Sequence, residues 1–287
     1  MASRSLSYVA ALLLVLVSAS PASATWSVIA VDQKTREVVI ASATCVPQSA
    51  FAGFPAKGLM DVQAIVVPGK GVAAAQAGVD RTRKNQQLIF DEINKGTEPA
   101  RILEMLKQDP GIEMRQFAIV DLQGRSVGFS GQKNQPASLS RQQQVPGTGI
   151  YFSIQGNILA SDEVVTAAMT SFVEATGSLA DRVMAAMETA DARGGDKRCT
   201  CESKPLPAAT AACESKTSHV AYILRADPSD KSGASFNDGQ YAMYVAVTND
   251  DILPAENANP VKTLRLRYDA WKKSNPPVRR SPGGGGR

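Results

Sequence analysis

The sequence predicts an α+β protein built as a four-layer αββα sandwich, in which two antiparallel sheets stack and helices cover both outer faces. Strand-like and helix-like segments follow one another as strands, two helices, strands, two helices and strands. Neighbouring strands are joined mostly by short turns, and the helices come in pairs instead of singly between parallel strands. The layer rule then favours two stacked antiparallel sheets with a helical layer outside each.

The domain is expected to open with a buried hairpin. Residues 25–32 are apolar on both alternating faces, which is typical of a strand covered on both sides of its sheet. A turn at residues 33–35 leads into a second apolar run at 38–42. Two further strands are expected at 62–67 and 71–76, again joined by a turn.

A first helical pair follows these strands. Apolar residues between 87 and 94 recur at helical spacing, and Gly96 can end that helix. Pro99 opens a second helix that runs to Asp109. Strands are expected again at 115–121, 126–130 and 149–155.

A second helical pair and two closing strands complete the pattern. Ser161 or Asp162 is a candidate N-cap for the third helix, and a break at residues 176–178 starts the fourth, which ends near Gly194-Gly195. The closing strands are expected at 219–225 and 241–247, followed by a helix over 261–271.

Residues 1–24 have the composition of a signal peptide. Arg4 supplies the basic region, residues 9–17 form an apolar run, and Ala22-Ser23-Ala24 fits a signal-peptidase site. The apolar run is shorter than the about 20 residues that a membrane-spanning helix needs. We therefore expect a secreted or periplasmic protein that begins at Thr25 and has no stable membrane anchor.

The rest of the chain is predicted to form one domain over residues 25–271, followed by a disordered basic tail rich in Pro and Gly over residues 272–287. Six of the 31 basic residues lie outside the domain, which leaves 25 basic against 27 acidic residues within it. Such a balance gives no basic patch of the kind that binds nucleic acid, so we expect no nucleic-acid partner.

Four cysteines and one histidine limit the available chemistry. In an oxidising compartment the even set Cys45, Cys199, Cys201 and Cys213 favours disulfides, and a bond from Cys45 to the later group would tie that loop to the first hairpin. A zinc site that combines the last three cysteines with His219 is the alternative. Otherwise His219 is a polar residue at the start of a strand. Cofactor-binding motifs are not recognised, so we expect neither a cofactor nor a metal.

A mature chain that begins at Thr25 would carry a nucleophile and a base in one residue. An α-amine has a pKa of about 7.7–8.0, so a useful fraction is unprotonated at neutral pH and can take the proton from the threonine hydroxyl. The signal-peptidase cut would supply the free amine without autoproteolysis.

Seven segments of the chain carry recognisable motifs, among them Gln155-Gly-Asn157 and Gly194-Gly-Asp196. The segments are residues 25–32, 38–42, 115–124, 155–160, 194–196, 244–251 and 259–262. Together they resemble the DUF1028 family, a group assigned to the N-terminal-nucleophile (Ntn) hydrolase superfamily. The resemblance runs from Thr25 to about Trp271 and implies the αββα sandwich and a nucleophilic N-terminal residue.

The resemblance also implies roles for individual residues. By order along the chain, Gln155 or Asn157 matches the small polar residue near the nucleophile, and Asn157 would donate to the oxyanion. Asp196 would hold the α-ammonium group. Lys57 matches the lysine that lowers the nucleophile's pKa, although a solvated surface lysine is the simpler interpretation.

Two departures from the wider superfamily concern catalysis. The second strand ends in Ser42-Ala43-Thr44, where an acid is usual, and a cysteine-bearing insert of residues 199–216 follows Asp196. We expect Ser42, Gln76 and Gln155 to contact the substrate.

The leading hypothesis is an exported Ntn hydrolase that cleaves an amide-type bond in a small-molecule or peptide substrate. The alternative is a non-catalytic extracytoplasmic binding or scaffold protein on the same fold. The sequence leaves open which substrate is used and whether the chain forms a homo-oligomer.

Overall fold

The computed structural model describes residues 25–53 and 58–276, so the predicted signal peptide lies outside the described residues. The strands are β1 Thr25–Asp32, β2 Val38–Thr44, β3 Ala64–Val67, β4 Gly71–Ala77, β5 Arg115–Asp121, β6 Ser126–Ser130, β7 Leu139–Gln144, β8 Ile150–Asn157, β9 Val220–Ala226 and β10 Met243–Thr248. The helices are α1 Leu59–Gln63, α2 Lys84–Lys95, α3 Pro99–Leu106, α4 Glu163–Glu174, α5 Leu179–Ala192 and α6 Pro260–Ser274.

These strands form two antiparallel sheets. The larger sheet has the order β10-β9-β2-β1-β8-β7, and the smaller one has the order β3-β4-β5-β6. Strand β1 is central in the larger sheet, because it pairs with β2 on one side and β8 on the other. The predicted α+β class with two antiparallel sheets is thereby confirmed.

Three apolar clusters show how the elements pack. On one face of β1, Val28 packs with residues of α4, α5 and α6. On the opposite face, Ile29 packs with residues of the smaller sheet such as Val72. The far face of the smaller sheet, represented by Ile119, packs against α2 and α3. Since β1 is covered on both sides, its near-continuous apolar sequence has a direct structural cause.

Two elements differ from the sequence-based prediction. Strand β7 was not predicted, because an edge strand of sequence Leu-Ser-Arg-Gln-Gln-Gln lacks an alternating apolar face. Helix α1 occupies the start of a predicted strand, so β3 begins at Ala64 and not at Val62. Five residues are too few to display a helical period.

The last helix extends beyond the predicted end of the domain at residue 271. Helix α6 continues to Ser274, which places Lys272 on the helix, where its Nζ lies 2.5 Å from Asp181 Oδ1. Residues 277–287 lie outside the described part of the chain. Among the helices of the described part, none has the length and apolar composition needed to cross a membrane.

All four cysteines are paired, which confirms the disulfide prediction. Cys45 bonds Cys199, and Cys201 bonds Cys213. The first bond ties the end of β2 to the loop after α5, as expected. The alternative zinc site is wrong, because its three thiolates are consumed in these bonds.

Candidate active site

The layer between the two sheets changes from apolar to polar at one end. In β1 the inward-facing residues run from Val31 and Ile29 to Ser27 and Thr25, and the neighbouring strands change in the same way. The buried polar residues at this end are Thr25, Ser27, Ser42, Thr44, Gln63, Gln76, Gln116, Ser153, Gln155 and Asn157. Burying so many hydroxyl and amide groups is costly unless they are hydrogen-bonded.

Thr25 lies at the start of β1 within this polar end. Its Cα is directly opposite Thr44 of β2 and Asn157 of β8. Only 3% of the residue is exposed, and its Oγ1 donates to Thr44 Oγ1 at 3.2 Å. Thr25 therefore places a hydroxyl and its own backbone nitrogen between two flanking strands.

A network of side-chain amides lies beside Thr25. Gln76 Nε2 donates to the carbonyl oxygen of Thr25 at 3.0 Å and to Gln116 Oε1 at 2.7 Å. Gln76 Oε1 accepts from Ser27 Oγ at 2.8 Å and from Gln63 Nε2 at 2.6 Å. The backbone carbonyl of Thr25 can only accept, so the orientation of the Gln76 amide is set by its partners.

The same reasoning orients Asn157. Gln116 Nε2 donates to the carbonyl oxygens of Gly156 at 2.8 Å and Leu139 at 3.1 Å, so its Oε1 must be the acceptor side. Asn157 Nδ2 donates to that oxygen at 3.2 Å. Asn157 Oδ1 thus points elsewhere, and it is a buried acceptor without a hydrogen-bond partner among the described residues.

Two residues directly after this network adopt left-handed backbone conformations. Ala77 follows Gln76 with φ 69°, and Ile158 follows Asn157 with φ 54°. Such a conformation is unfavourable for alanine and more so for a β-branched residue. Strain of this kind concentrates at functional sites, which agrees with a site at this end of the sheets.

Asp196 is held at the edge of the site by a close-packed loop. At Gly195, whose φ is 44°, an added Cβ would lie 2.7 Å from the Trp26 ring, so the Gly-Gly pair before Asp196 has a steric reason. The buried Asp196 carboxylate accepts from Cys45 N at 2.9 Å and from Arg198 Nε and Nη2 at 3.0 and 2.8 Å. The predicted contact with the α-ammonium group stays a prediction.

A cavity of about 490 Å³ opens beside Thr25. Its walls come from one end of β1, β2, β4 and β5, from α1 and the segments after β2 and β4, and from the loop after α5. Thr25, Thr44, Gln63 and Gln76 supply polar groups, together with three arginines. The volume lies in the range of small-molecule sites, which is roughly 300–1,000 Å³.

The structure distributes the other predicted site residues differently. Ser42 and Gln155 are buried and are not among the described residues that line the cavity. Ser42 Oγ donates to the Trp26 carbonyl oxygen at 2.6 Å, and Gln155 Nε2 donates to the Ala74 carbonyl oxygen at 3.2 Å. The Ser42 hydroxyl and the Gln155 amide therefore bind backbone carbonyl groups of other strands. Lys57 lies outside the described residues.

His219 directly precedes β9 and is not among the described residues that line the cavity. Its Nδ1 is 2.7 Å from Asn249 Nδ2. Burial and the nearby charge of Lys216 lower the pKa of His219 to about 4, so the imidazole is neutral at pH 7. Its ring packs near the sulfurs of Cys45 and Cys199, which the disulfide withholds from any metal.

The fold and site define an α+β protein with two packed antiparallel sheets, in which a buried threonine at the polar end of the inter-sheet layer lines a cavity. The chain belongs to the DUF1028 family, a family of unknown function whose model matches residues 25–234.

A solved structure of the same family is similar to this chain over most of its length. It is the crystal structure of protein SPO2555 from Silicibacter pomeroyi, described with the same DUF1028 family model. The TM-score is 0.58 at 19% identity, and the match covers 87% of this chain and 89% of that chain. None of the curated proteins compared with this chain matches it.

Proposed function

We propose that this chain is an exported Ntn hydrolase in which Thr25 is both nucleophile and, through its α-amine, general base. One observation carries the proposal: Thr25 starts the central strand β1 at the buried polar end of the inter-sheet layer and lines a cavity of substrate size. The DUF1028 match begins at the same residue that the predicted signal-peptidase cut would expose.

The reaction proceeds through an ester on Thr25. The α-amine takes the proton from Oγ1, and Oγ1 attacks the amide carbon of the substrate. The carbon–nitrogen bond breaks, and the proton passes from the α-ammonium to the departing amine. Water, deprotonated by the α-amine, then hydrolyses the ester, which releases the acid and returns the proton to Oγ1.

Asn157 has two assigned roles in this proposal. Asn157 lies directly opposite Thr25 in the pairing of β1 with β8, and its Oδ1 has no hydrogen-bond partner among the described residues. We assign this oxygen to accept an N–H from the α-amine. Its second amide hydrogen is assigned to the oxyanion, since the first is used by Gln116. Gln76 and Gln116 hold Thr25 and Asn157 in position, because Gln76 donates to the Thr25 carbonyl oxygen and Gln116 accepts from Asn157 and Gln76.

Labelling with a β-lactone tests the hydrolase proposal. The protein that begins at Thr25 should form a covalent ester at that residue, Thr25→Ser should keep the reaction, and Thr25→Ala should lose it. Thr35→Ala is the matched control, because Thr35 is exposed in the turn at the far end of the same hairpin. Undiminished labelling of Thr25→Ala would remove Thr25 from the mechanism and reject the proposal, whereas no labelling of the chain that begins at Thr25 would favour the non-catalytic binding protein.

Export is tested separately by the mass and N-terminal sequence of the protein recovered outside the cytoplasm. We expect a chain that begins at Thr25 with both disulfides formed, because these bonds persist in an oxidising compartment. A chain that retains residues 1–24 would contradict both export and the free α-amine.

A further inference from the structure

We infer that the cavity selects a small amide that carries both a carboxylate and an apolar group, the chemistry of N-acyl amino acids and dipeptides. This inference rests on the proposed function for the reaction, but its binding component can be tested without turnover. It comes from the charge and apolar character of the cavity walls.

The charged residues that line the cavity in the described part of the chain are all positive. Arg81, Arg115 and Arg198 line the cavity, and no aspartate or glutamate does so within the described part of the chain. Arg81 is exposed, which places its charge where a ligand can approach from solvent. Guanidinium groups bind carboxylates with paired, charge-assisted hydrogen bonds.

Two of these arginines are held in place by carboxylates outside the lining. Arg115 Nε lies 2.8 Å from Asp109 Oδ2, and its Nη1 donates to the Gly78 carbonyl oxygen at 2.5 Å. Arg198 binds Asp196, yet a third of the Arg198 side chain is exposed while Asp196 is fully buried. The arginine side chains of these ion pairs thus lie on the cavity side, and the carboxylates lie away from it.

The remaining wall is largely apolar. Its larger members are Val46, Phe51, Leu59, Val62, Val79 and Met114. An apolar group of the substrate would be removed from water against these residues, which favours its binding. A cavity of about 490 Å³ accommodates a molecule of one or two residues, which excludes folded polypeptides as the bound part.

A phosphate ester is the main competing anion for an arginine-lined cavity. The apolar wall and the adjoining nucleophile favour the carboxylate, because an acyl amino acid brings the scissile amide, the charge and the apolar side chain in one small molecule. The experiment therefore includes a phosphate arm.

Calorimetric binding to Thr25→Ala tests the inference independently of catalysis. The ligands are N-butyryl-phenylalanine and its neutral carboxamide, which match in shape and differ in charge, with phenyl phosphate as the third ligand. We expect the acid to bind about tenfold more tightly than the carboxamide at low salt, since a charge-assisted hydrogen bond is stronger than a neutral one. We also expect the acid to bind more tightly than phenyl phosphate.

Substitutions of Arg81 then locate the interaction. Arg81→Gln should lower the acid-to-carboxamide ratio, because it removes one of the three guanidinium groups in the cavity lining, and Arg81→Lys should lower the ratio less. Arg101→Gln, which removes the same charge from an exposed position on α3, should leave the ratio unchanged. Equal affinity for acid and carboxamide, or preference for phenyl phosphate, would overturn the inference. Since Thr25 labelling is measured separately, that result would leave the hydrolase proposal standing.

Discussion

Gln116 is the residue on which the hydrogen bonds of the candidate site converge. Its Oε1 accepts from Gln76 and Asn157, and its Nε2 donates to Ser130 Oγ and to two backbone carbonyl oxygens. The side chain is fully buried. Because the network is closed by backbone groups, a change at Gln116 is expected to disturb every amide linked to it.

Gln116→Leu should lower the free energy of unfolding by about 2–6 kcal/mol, because two buried N–H donors lose their acceptor at a cost of about 1–3 kcal/mol each. Urea unfolding measures the difference. Gln87→Leu is the control, since the Gln87 side chain donates to Asp91 one turn along α2 and loss of this hydrogen bond should cost less than about 0.5 kcal/mol. Equal losses in the two variants would show that the network does not stabilise the fold.

Sequence reasoning found part of this site. Thr25 was singled out because cleavage chemistry and family resemblance both indicated it, and two other residues named from the sequence, Gln76 and Asn157, lie beside it. Gln63 and Gln116 were missed. A single amide in an apolar strand carries no motif, but Gln116 continues the inward face of Ala118 and Val120, which is the one signal that could have found it.

At the scale of elements, the N-terminus of α5 is joined to α6 by one carboxylate. Ser178 and Asp181 form a capping box, and Asp181 Oδ1 also accepts from Tyr268 and Lys272 of α6. Burial raises the pKa of Asp181, but the hydrogen bonds from Lys272, Ser178 and Tyr268 outweigh it and lower the pKa to about 2. Ionised Asp181 is therefore favoured by the folded state.

This carboxylate predicts a pH-dependent stability. Because the folded-state pKa lies below the ordinary value of 3.8, the contribution is present above that value and is lost as the pH falls towards about 2. Asp181→Asn should cost about 1 kcal/mol at pH 7, and the cost should nearly vanish at the acid end of this window. Urea unfolding at both pH values measures it.

Asp162→Asn is the matched control for this prediction. Asp162 occupies the N-cap of α4 without a side-chain capping hydrogen bond, so its substitution should have little effect at either pH. A cost for Asp181→Asn that is the same at neutral and acid pH would contradict the role assigned to the ionised group.

The elements that the sequence predicted best are those with apolar residues on a clear period. The hairpin of β1 and β2 lies where expected, because both strands are apolar and buried on both faces and a short turn joins them. Strands β5 and β6 also lie where expected, because the apolar run of β5 is buried and a short turn joins it to β6. Strand β7 was missed since its stability comes from pairing with β8, which is a tertiary effect that its own residues do not signal.

At the scale of the whole molecule, the two disulfides differ in what they connect. Cys45–Cys199 spans 154 residues and joins the end of β2, beside the cavity, to the loop that carries Asp196. Cys201–Cys213 spans 12 residues within the insert. The chain-entropy model gives about 5 kcal/mol for the longer loop and about 3 kcal/mol for the shorter one.

Replacing both Cys45 and Cys199 by alanine should therefore destabilise the protein more than replacing Cys201 and Cys213. The first pair should also slow β-lactone labelling of Thr25, since the Cys45 N–H holds the Asp196 carboxylate. Thermal unfolding and labelling rates measure the two effects. Faster labelling without the Cys45–Cys199 bond would mean that the bond restrains the site instead of supporting it.

Sequence order predicted that Cys45 would bond the later cysteines but did not indicate which one. The partner is decided by the path of the loop after α5, where Leu159 and Asp196 form an isolated antiparallel bridge. That contact joins residues far apart in sequence, so local patterns carry no information about it.

The central claim is that the α-amine of Thr25 activates its own hydroxyl. The most direct measurement compares β-lactone labelling of two chains, one beginning at Thr25 and one beginning at Ala24, with peptide mapping to locate the ester. We predict that the first chain is labelled at Thr25, with a rate that rises as the α-amine loses its proton. The second should react slower by on the order of 100-fold, because an amide nitrogen cannot act as a base. Equal labelling of the two chains would contradict the claim.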